Sequence, residues 1–147
     1  MVIAIFGESC TGKSTLADLL KDRLGAEVFT GKDYLRLAKD ETSAKKLFQA
    51  KLAEAMLGSD IVYVISEREH LALVPEGAVR ILTTAELPAI KERFAARMCG
   101  NLPAPVAAML ERKHGCFDAE RCDLRVCSGA ATPEEVCGQI LHILQSS

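Results

Sequence analysis

The sequence predicts one α/β domain built on a five-stranded parallel sheet with helices on both faces. Three observations carry this. VIAIF at 2–6 and IVYVI at 61–65 are unbroken apolar runs of strand length, the pattern of strands covered on both sides. Other strand-like runs alternate with helical periodicity along the whole chain, which gives crossover connections rather than hairpins. The 147 residues, 49% hydrophobic and 26% charged, suit a single core.

The elements follow in order. After the first strand, residues 14–24 place Leu16, Leu19, Leu20 and Leu24 at helical spacing, and Gly25 stops the helix. EVFT at 27–30 reads as a short strand and 33–39 as a short helix. Ser43 opens a longer helix with Leu47, Phe48, Leu52, Ala55 and Met56 on one side, ended by Gly58. The strand at 61–65 is followed by a third candidate, VRILT at 79–83, and a weaker one at 124–127. Residues 87–98 and 106–114 read as helices separated by the NLPAP break at 101–105. Thr132 before Pro133, Glu134 and Glu135 starts a last helix with Val136, Ile140, Ile143 and Leu144 inward.

A formal net charge of −2 gives no global attraction to nucleic acid or to an anionic membrane. No apolar run approaches the roughly 18–20 residues that span a bilayer, and the first residues enter a strand without a signal-peptide pattern. The expectation is a cytoplasmic protein, monomeric or homodimeric, without nucleic-acid or membrane partners. None of the six cysteines forms a C-x-x-C pair. Cys122 and Cys127 lie five apart in a strand-like stretch and so on opposite faces, which argues against a zinc site with His114 and Cys116.

The chemistry concentrates in GESCTGKST at 7–15. Gly7 and Gly12 let the backbone curl until its N–H groups face inward, where phosphate oxygens can be cradled by Gly7, Glu8, Ser9, Cys10, Thr11, Gly12, Lys13, Ser14 and Thr15. Lys13 would reach the β- and γ-phosphates of ATP, and the Ser14 hydroxyl would hold Mg²⁺ at a helix N-terminus that also favours the anion. The strand before and the helix after this loop are the context the motif requires.

In a parallel sheet ligands gather at the carboxyl ends of the strands, here 7–14, 30–36, 66–70 and 128–131. Arg93 and Arg97 share one helix face, suited to closing over phosphates or to a solvated surface. Arg68 follows the 61–65 strand. Glu67 beside it would orient a metal-bound water or pair with Arg68. Asp33 would engage an acceptor hydroxyl or cap a helix, with Arg36 one turn later for an anionic acceptor.

These residues resemble the small P-loop nucleoside monophosphate kinases and their relatives, most closely the cytidylate kinase-like proteins, over nearly the whole chain. TGKDYLR at 30–36 is similar to the T-G-D-x-L-R stretch of adenylate kinases with one residue inserted. It is also similar to the shikimate kinase loop whose Asp, matched by Asp33, contacts the acceptor hydroxyl. VISEREHLALVPEGAVRILTTAEL at 64–87 resembles the cytidylate kinase segment that begins at an E-G-R-D loop. FDAERCDLRVCSGAATPEEV at 117–136 resembles the ending of those proteins.

The resemblance implies a P-loop NTPase fold with strand order 2-3-1-4-5, spanning 1–147 as one kinase domain. It implies a reduced acceptor-binding region at 33–58 and a short lid at 97–118. It implies Arg68 as an acceptor-binding residue, Arg93 and Arg97 as the start of the lid, and Ser128, Gly129 and Ala130 beside the adenine. The implied activity is transfer of the γ-phosphoryl group of Mg·ATP to a small acceptor, a nucleoside monophosphate such as CMP. The alternatives are a kinase of a small hydroxylated metabolite and a nucleotide-binding switch with little turnover. Two departures matter. Ser66-Glu67-Arg68-Glu69 stands where shikimate kinase has a Gly-rich loop. No aspartate ends the 61–65 strand, since Asp60 lies at its start.

Overall fold

The computed structural model describes residues 1–146. Five strands form one parallel sheet: β1 (Val2–Gly7), β2 (Glu27–Thr30), β3 (Ile61–Ile65), β4 (Val79–Thr84) and β5 (Leu124–Cys127). Their spatial order is β2-β3-β1-β4-β5, as expected. β1 is central, with Val2 opposite Ile61 on one side and Gly7 opposite Thr83 on the other. The pleat sends alternate side chains to two cores. Ala4, Phe6, Phe29 and Tyr63 face α2 (Glu41–Ala55), while Ile3, Ile5, Val62 and Ile81 face α1 (Lys13–Leu24) and α5 (Pro133–Gln145).

On the α2 face the aromatic rings interlock. Phe48 meets the Tyr63 ring edge-on with centroids 4.9 Å apart, and its other neighbours are Phe29 at 4.9 Å and Tyr34 at 5.4 Å. Such pairs add directional preference to the area they bury.

Several boundaries differ from expectation. α2 starts at Glu41, because the Asp40 carboxylate accepts from the Ser43 N–H at 2.8 Å; Asp40 is the cap and Ser43 the residue capped. That shifts the inward stripe to Ala44, Phe48, Leu52 and Ala55, and leaves Leu47 50% exposed. Residues 33–37 form a 3₁₀ turn whose preceding residue is Lys32, so Asp33 is not its cap. A second 3₁₀ turn, Arg68–Leu73, follows β3. α3 (Leu87–Arg97) and α4 (Ala104–Lys113) are joined through a break where Cys99 and Gly100 both have positive φ, 61° and 86°.

Thr132 and Glu135 form the reciprocal capping box of α5: the Thr132 hydroxyl accepts from the Glu135 N–H, and the Glu135 carboxylate accepts from the Thr132 N–H. Thr132→Ala is therefore expected to cost about 1 kcal/mol. Thermal unfolding should show it as a fall of about 2–4 °C.

Among the described residues no helix is long and apolar enough to cross a membrane. Cys10 and Cys137 are buried, Cys116 and Cys122 half-buried, and Cys99 and Cys127 exposed.

Candidate functional site

The carboxyl end of β1 turns into α1 through residues 7–12. Gly7 lies so close to β4 that a Cβ there would fall 2.2 Å from the Thr83 carbonyl oxygen and 2.5 Å from its hydroxyl. Only glycine fits. Thr11 braces the loop from inside: its hydroxyl bonds the Glu8 carbonyl at 2.8 Å and meets the Thr83 hydroxyl at 2.7 Å. Cys10 holds φ 63°, a left-handed conformation that costs energy for a residue with a side chain. Gly12, at φ 91°, completes the curl and precedes the first residue of α1.

Lys13 is 6% exposed, and its ammonium donates to the Glu8 carbonyl across the loop it would serve. Burial pulls its pKa from 10.5 down to about 8, with Arg97 acting in the same direction and Cys10 and Glu8 opposing. The unfolded chain thus retains this proton between about pH 8 and 10.5 while the folded chain sheds it, so the group makes stability rise with pH across that window. The gain is lost as pH falls through about 8. A bound polyanion acts in the opposite sense, favouring the charged ammonium. A polyphosphate held by this loop should therefore bind with an affinity that holds steady below about pH 8 and weakens above it. Lys13→Met should flatten that profile in calorimetric titrations.

Arg93 reaches from α3 to the loop, its guanidinium donating to the Cys10 carbonyl at 2.8 Å. α3 and α4 share a small core of their own around Ala85, Ile90 and Leu110, so the hairpin behind Arg93 packs as a unit that starts at Leu87, ahead of residue 97. The far end of that hairpin is also tied down. The Glu8 carboxylate, 10% exposed, lies 3.0 Å from His114 Nδ1 and accepts from the Gly115 N–H at 3.0 Å. Glu8 thus gives its backbone to the loop after β1 and its side chain to the end of the α3–α4 hairpin. Thr83, His114 and Gly115 were missed in the sequence, because their roles depend on contacts 72 and 106 or more residues away.

On the other side of the loop, a cleft of about 210 Å³ is lined by Gly12, Leu16, Thr83, Val126, Ser128, Gly129, Ala131 and Pro133 among others. Its walls are largely apolar, and Thr11 and Gly12 of the loop line one side. Ala131 lines it where Ala130 was expected; Ala130 instead closes a turn by donating its N–H to the Cys127 carbonyl at 3.1 Å.

The acceptor side departs further from the sequence reading. Arg68 is 60% exposed and donates twice to Glu120, at 3.2 and 3.1 Å. Glu67 pairs with Lys113 at 3.1 Å, not with Arg68. The Asp33 carboxylate accepts from the Thr30 N–H at 2.9 Å and is open to solvent. Arg36 stacks over the Phe29 ring at 4.5 Å and pairs with Glu27 at 3.8 Å, away from the phosphate loop. The structure therefore gathers Lys13, Arg93 and residues 7–12, with Arg97 near enough to act on Lys13, while Asp33 and Arg68 bond partners of their own.

No family model and no curated protein matches the chain. Solved structures do. A protein from Eubacterium ventriosum described as uncharacterized superposes with a TM-score of 0.72 at 14% identity, over 100% of this chain and 99% of that one. Shikimate kinase from Acinetobacter baumannii, solved with shikimate, gives 0.66 at 13% identity over 99% and 93%. A gluconokinase from Sinorhizobium meliloti gives 0.64 at 16% identity over 96% and 89%. This chain has the P-loop kinase fold. The superposition spans the segment 7–15, the 128–131 turn and the α3–α4 hairpin alike.

Proposed function

We propose that this protein is an ATP-dependent kinase of a small molecule. The observation that carries the reading is a buried lysine under the loop at 7–12, with a second cation, Arg93, reaching that loop from the α3–α4 hairpin. ATP would lie with its base in the cleft beside Ser128 and Gly129 and its phosphates over residues 7–13. Ser14, exposed at the head of α1, offers the single hard oxygen that suits Mg²⁺ completing its shell with waters and phosphate oxygens. The ion would supply charge neutralisation on the phosphates when bound.

The protein's own groups do the rest. Lys13 and the loop amides hold the β- and γ-oxygens, and Arg93 moves from the Cys10 carbonyl onto the transferring group. Arg97 adds charge from the same helix. The acceptor oxygen bonds the γ-phosphorus as the bond to the β–γ bridging oxygen breaks, and ADP leaves. With a hydroxyl acceptor the released proton passes to Asp33, whose carboxylate is open to solvent.

Two acceptor classes fit this arrangement: a nucleoside monophosphate such as CMP, held by Arg68 once it leaves Glu120, and a small hydroxylated metabolite placed by Asp33. The second class gains support from the neighbours whose names are shikimate kinase and gluconokinase. Asp33→Asn separates them. A hydroxyl acceptor should lose about 10²–10⁴ in kcat, whereas a phosphate acceptor, whose attacking oxygen is already ionised, should lose far less. Steady-state kinetics of the variant with each acceptor gives the answer.

A further inference from the structure

Glu8 puts a carboxylate into the loop that the kinase reading fills with polyphosphate, where a further negative charge works against binding. The side chain is 10% exposed, so its charge is met by the protein rather than by water. One carboxylate oxygen lies 3.0 Å from His114 Nδ1, and the other accepts from the Gly115 N–H at 3.0 Å. The backbone of the same residue stays with the loop, because the Glu8 carbonyl accepts from both the Thr11 hydroxyl and the Lys13 ammonium. One residue therefore ties the cation at the centre of the loop to the chain just past α4.

Beyond that tie lies Arg93. His114 follows the last residue of α4, and Gly115, at φ 78°, sits in a turn closed by the Cys116 N–H donating to the Lys113 carbonyl at 3.0 Å. α4 is joined to α3 by Ile90 and Leu110 in their shared core and by the Lys91–Glu111 ion pair, so a displacement at 114–115 carries α3 with it. The hairpin thus meets the loop at two points, Glu8 at its far end and the Arg93 bond to the Cys10 carbonyl. The two differ in what the reaction asks of them: Arg93 must leave Cys10 to reach a transferring group, whereas Glu8 can stay where it is. Another tie, Lys113 to Glu67 at 3.1 Å, joins two exposed side chains and contributes little. Past Gly115, Phe117 is 2% exposed with its ring centroid 5.7 Å from that of Phe6, which fastens the following segment to β1.

We infer that Glu8 is a positioning residue: its carboxylate pins the end of the α3–α4 hairpin to the loop, and through that hairpin sets where Arg93 and Arg97 stand over a bound polyphosphate. The inference rests on the kinase reading for the identity of the anion, and on the contacts of Glu8 for the pin itself.

Amide hydrogen exchange of the ligand-free protein, read by mass spectrometry, isolates the pin. Glu8→Ala should speed exchange in residues 87–113 roughly tenfold and leave α5 and the strands unchanged, since Phe117 still anchors the chain behind the break. Glu8→Gln keeps an oxygen for the Gly115 N–H and should restore most of the protection. Turnover then reads the positioning. With Mg·ATP and the acceptor that releases most ADP, Glu8→Ala should lower kcat roughly 10–100-fold with KM for ATP nearly unchanged, because a misplaced Arg93 matters chiefly in the transition state. In a background carrying both Arg93→Ala and Arg97→Ala, the same substitution should have little further effect. Unchanged exchange in the hairpin, exchange raised throughout the chain, a rise in KM alone, or a fall in kcat that multiplies fully with loss of the two arginines would overturn the inference. If no acceptor supports turnover by the wild type, the kinase reading fails, and the exchange of Glu8→Ala against Glu8→Gln still decides whether the pin exists.

Discussion

Lys13→Ala is expected to remove phosphoryl transfer, by at least about 10³-fold in kcat, without lowering the melting temperature. Phosphoryl transfer asks the protein for position and for charge on the equatorial oxygens, and Lys13 is the cation at the centre of the loop. The stability half of the expectation follows from the same burial. A lysine whose pKa has fallen to about 8 is one whose charged form the folded state disfavours. Removing it takes away a buried ammonium along with its bond to the Glu8 carbonyl. Thermal unfolding and ADP release, measured on the same preparation, should therefore diverge: full stability with no turnover. A parallel loss of both would mean that Lys13 holds the loop together rather than serving a ligand.

The largest structural effect is expected at Gly7. Its missing Cβ is what lets β1 run alongside Thr83, and Gly7→Ala would set a methyl 2.2 Å from a backbone oxygen that cannot rotate away. The sheet register or the phosphate loop must shift. Overpacking of this kind costs roughly 1–3 kcal/mol, and a fall in Tm of about 2–4 °C for each kcal/mol should accompany loss of ATP binding. Thr83→Ala in the same background should not rescue it, because the nearer clash is with the carbonyl rather than the side chain. Gly12→Ala makes the contrast. Its Cβ meets nothing, and only the left-handed φ of 91° resists it, at a cost of about 1–2 kcal/mol.

The sheet was legible because its physics is local. VIAIF and IVYVI are apolar throughout since both faces of β1 and β3 are covered. Helix faces were harder. Ser43 looked like a cap, but Asp40 three residues earlier has the longer reach as a charged acceptor, and that displacement turned Leu47 to the solvent. The curled loop between β1 and α1 was readable from residues 7–14 alone. The acceptor side was not, because a strand end says where a loop begins and nothing about where a long side chain goes. Arg68 finds Glu120 fifty-two positions away, and Glu67 finds Lys113 on the α3–α4 hairpin. Glu8 was read only as part of the phosphate loop; that its carboxylate holds His114 and Gly115 depends on how the hairpin folds back.

The most direct test is ADP production from Mg·ATP by purified protein, with and without each of a panel of nucleoside monophosphates and small hydroxylated acids, Lys13→Ala serving as the control. The kinase reading predicts that one acceptor accelerates ADP release by several orders of magnitude in the wild type and not at all in Lys13→Ala. Tight ATP binding with no acceleration by any acceptor would contradict it, and would point instead to a nucleotide-bound switch.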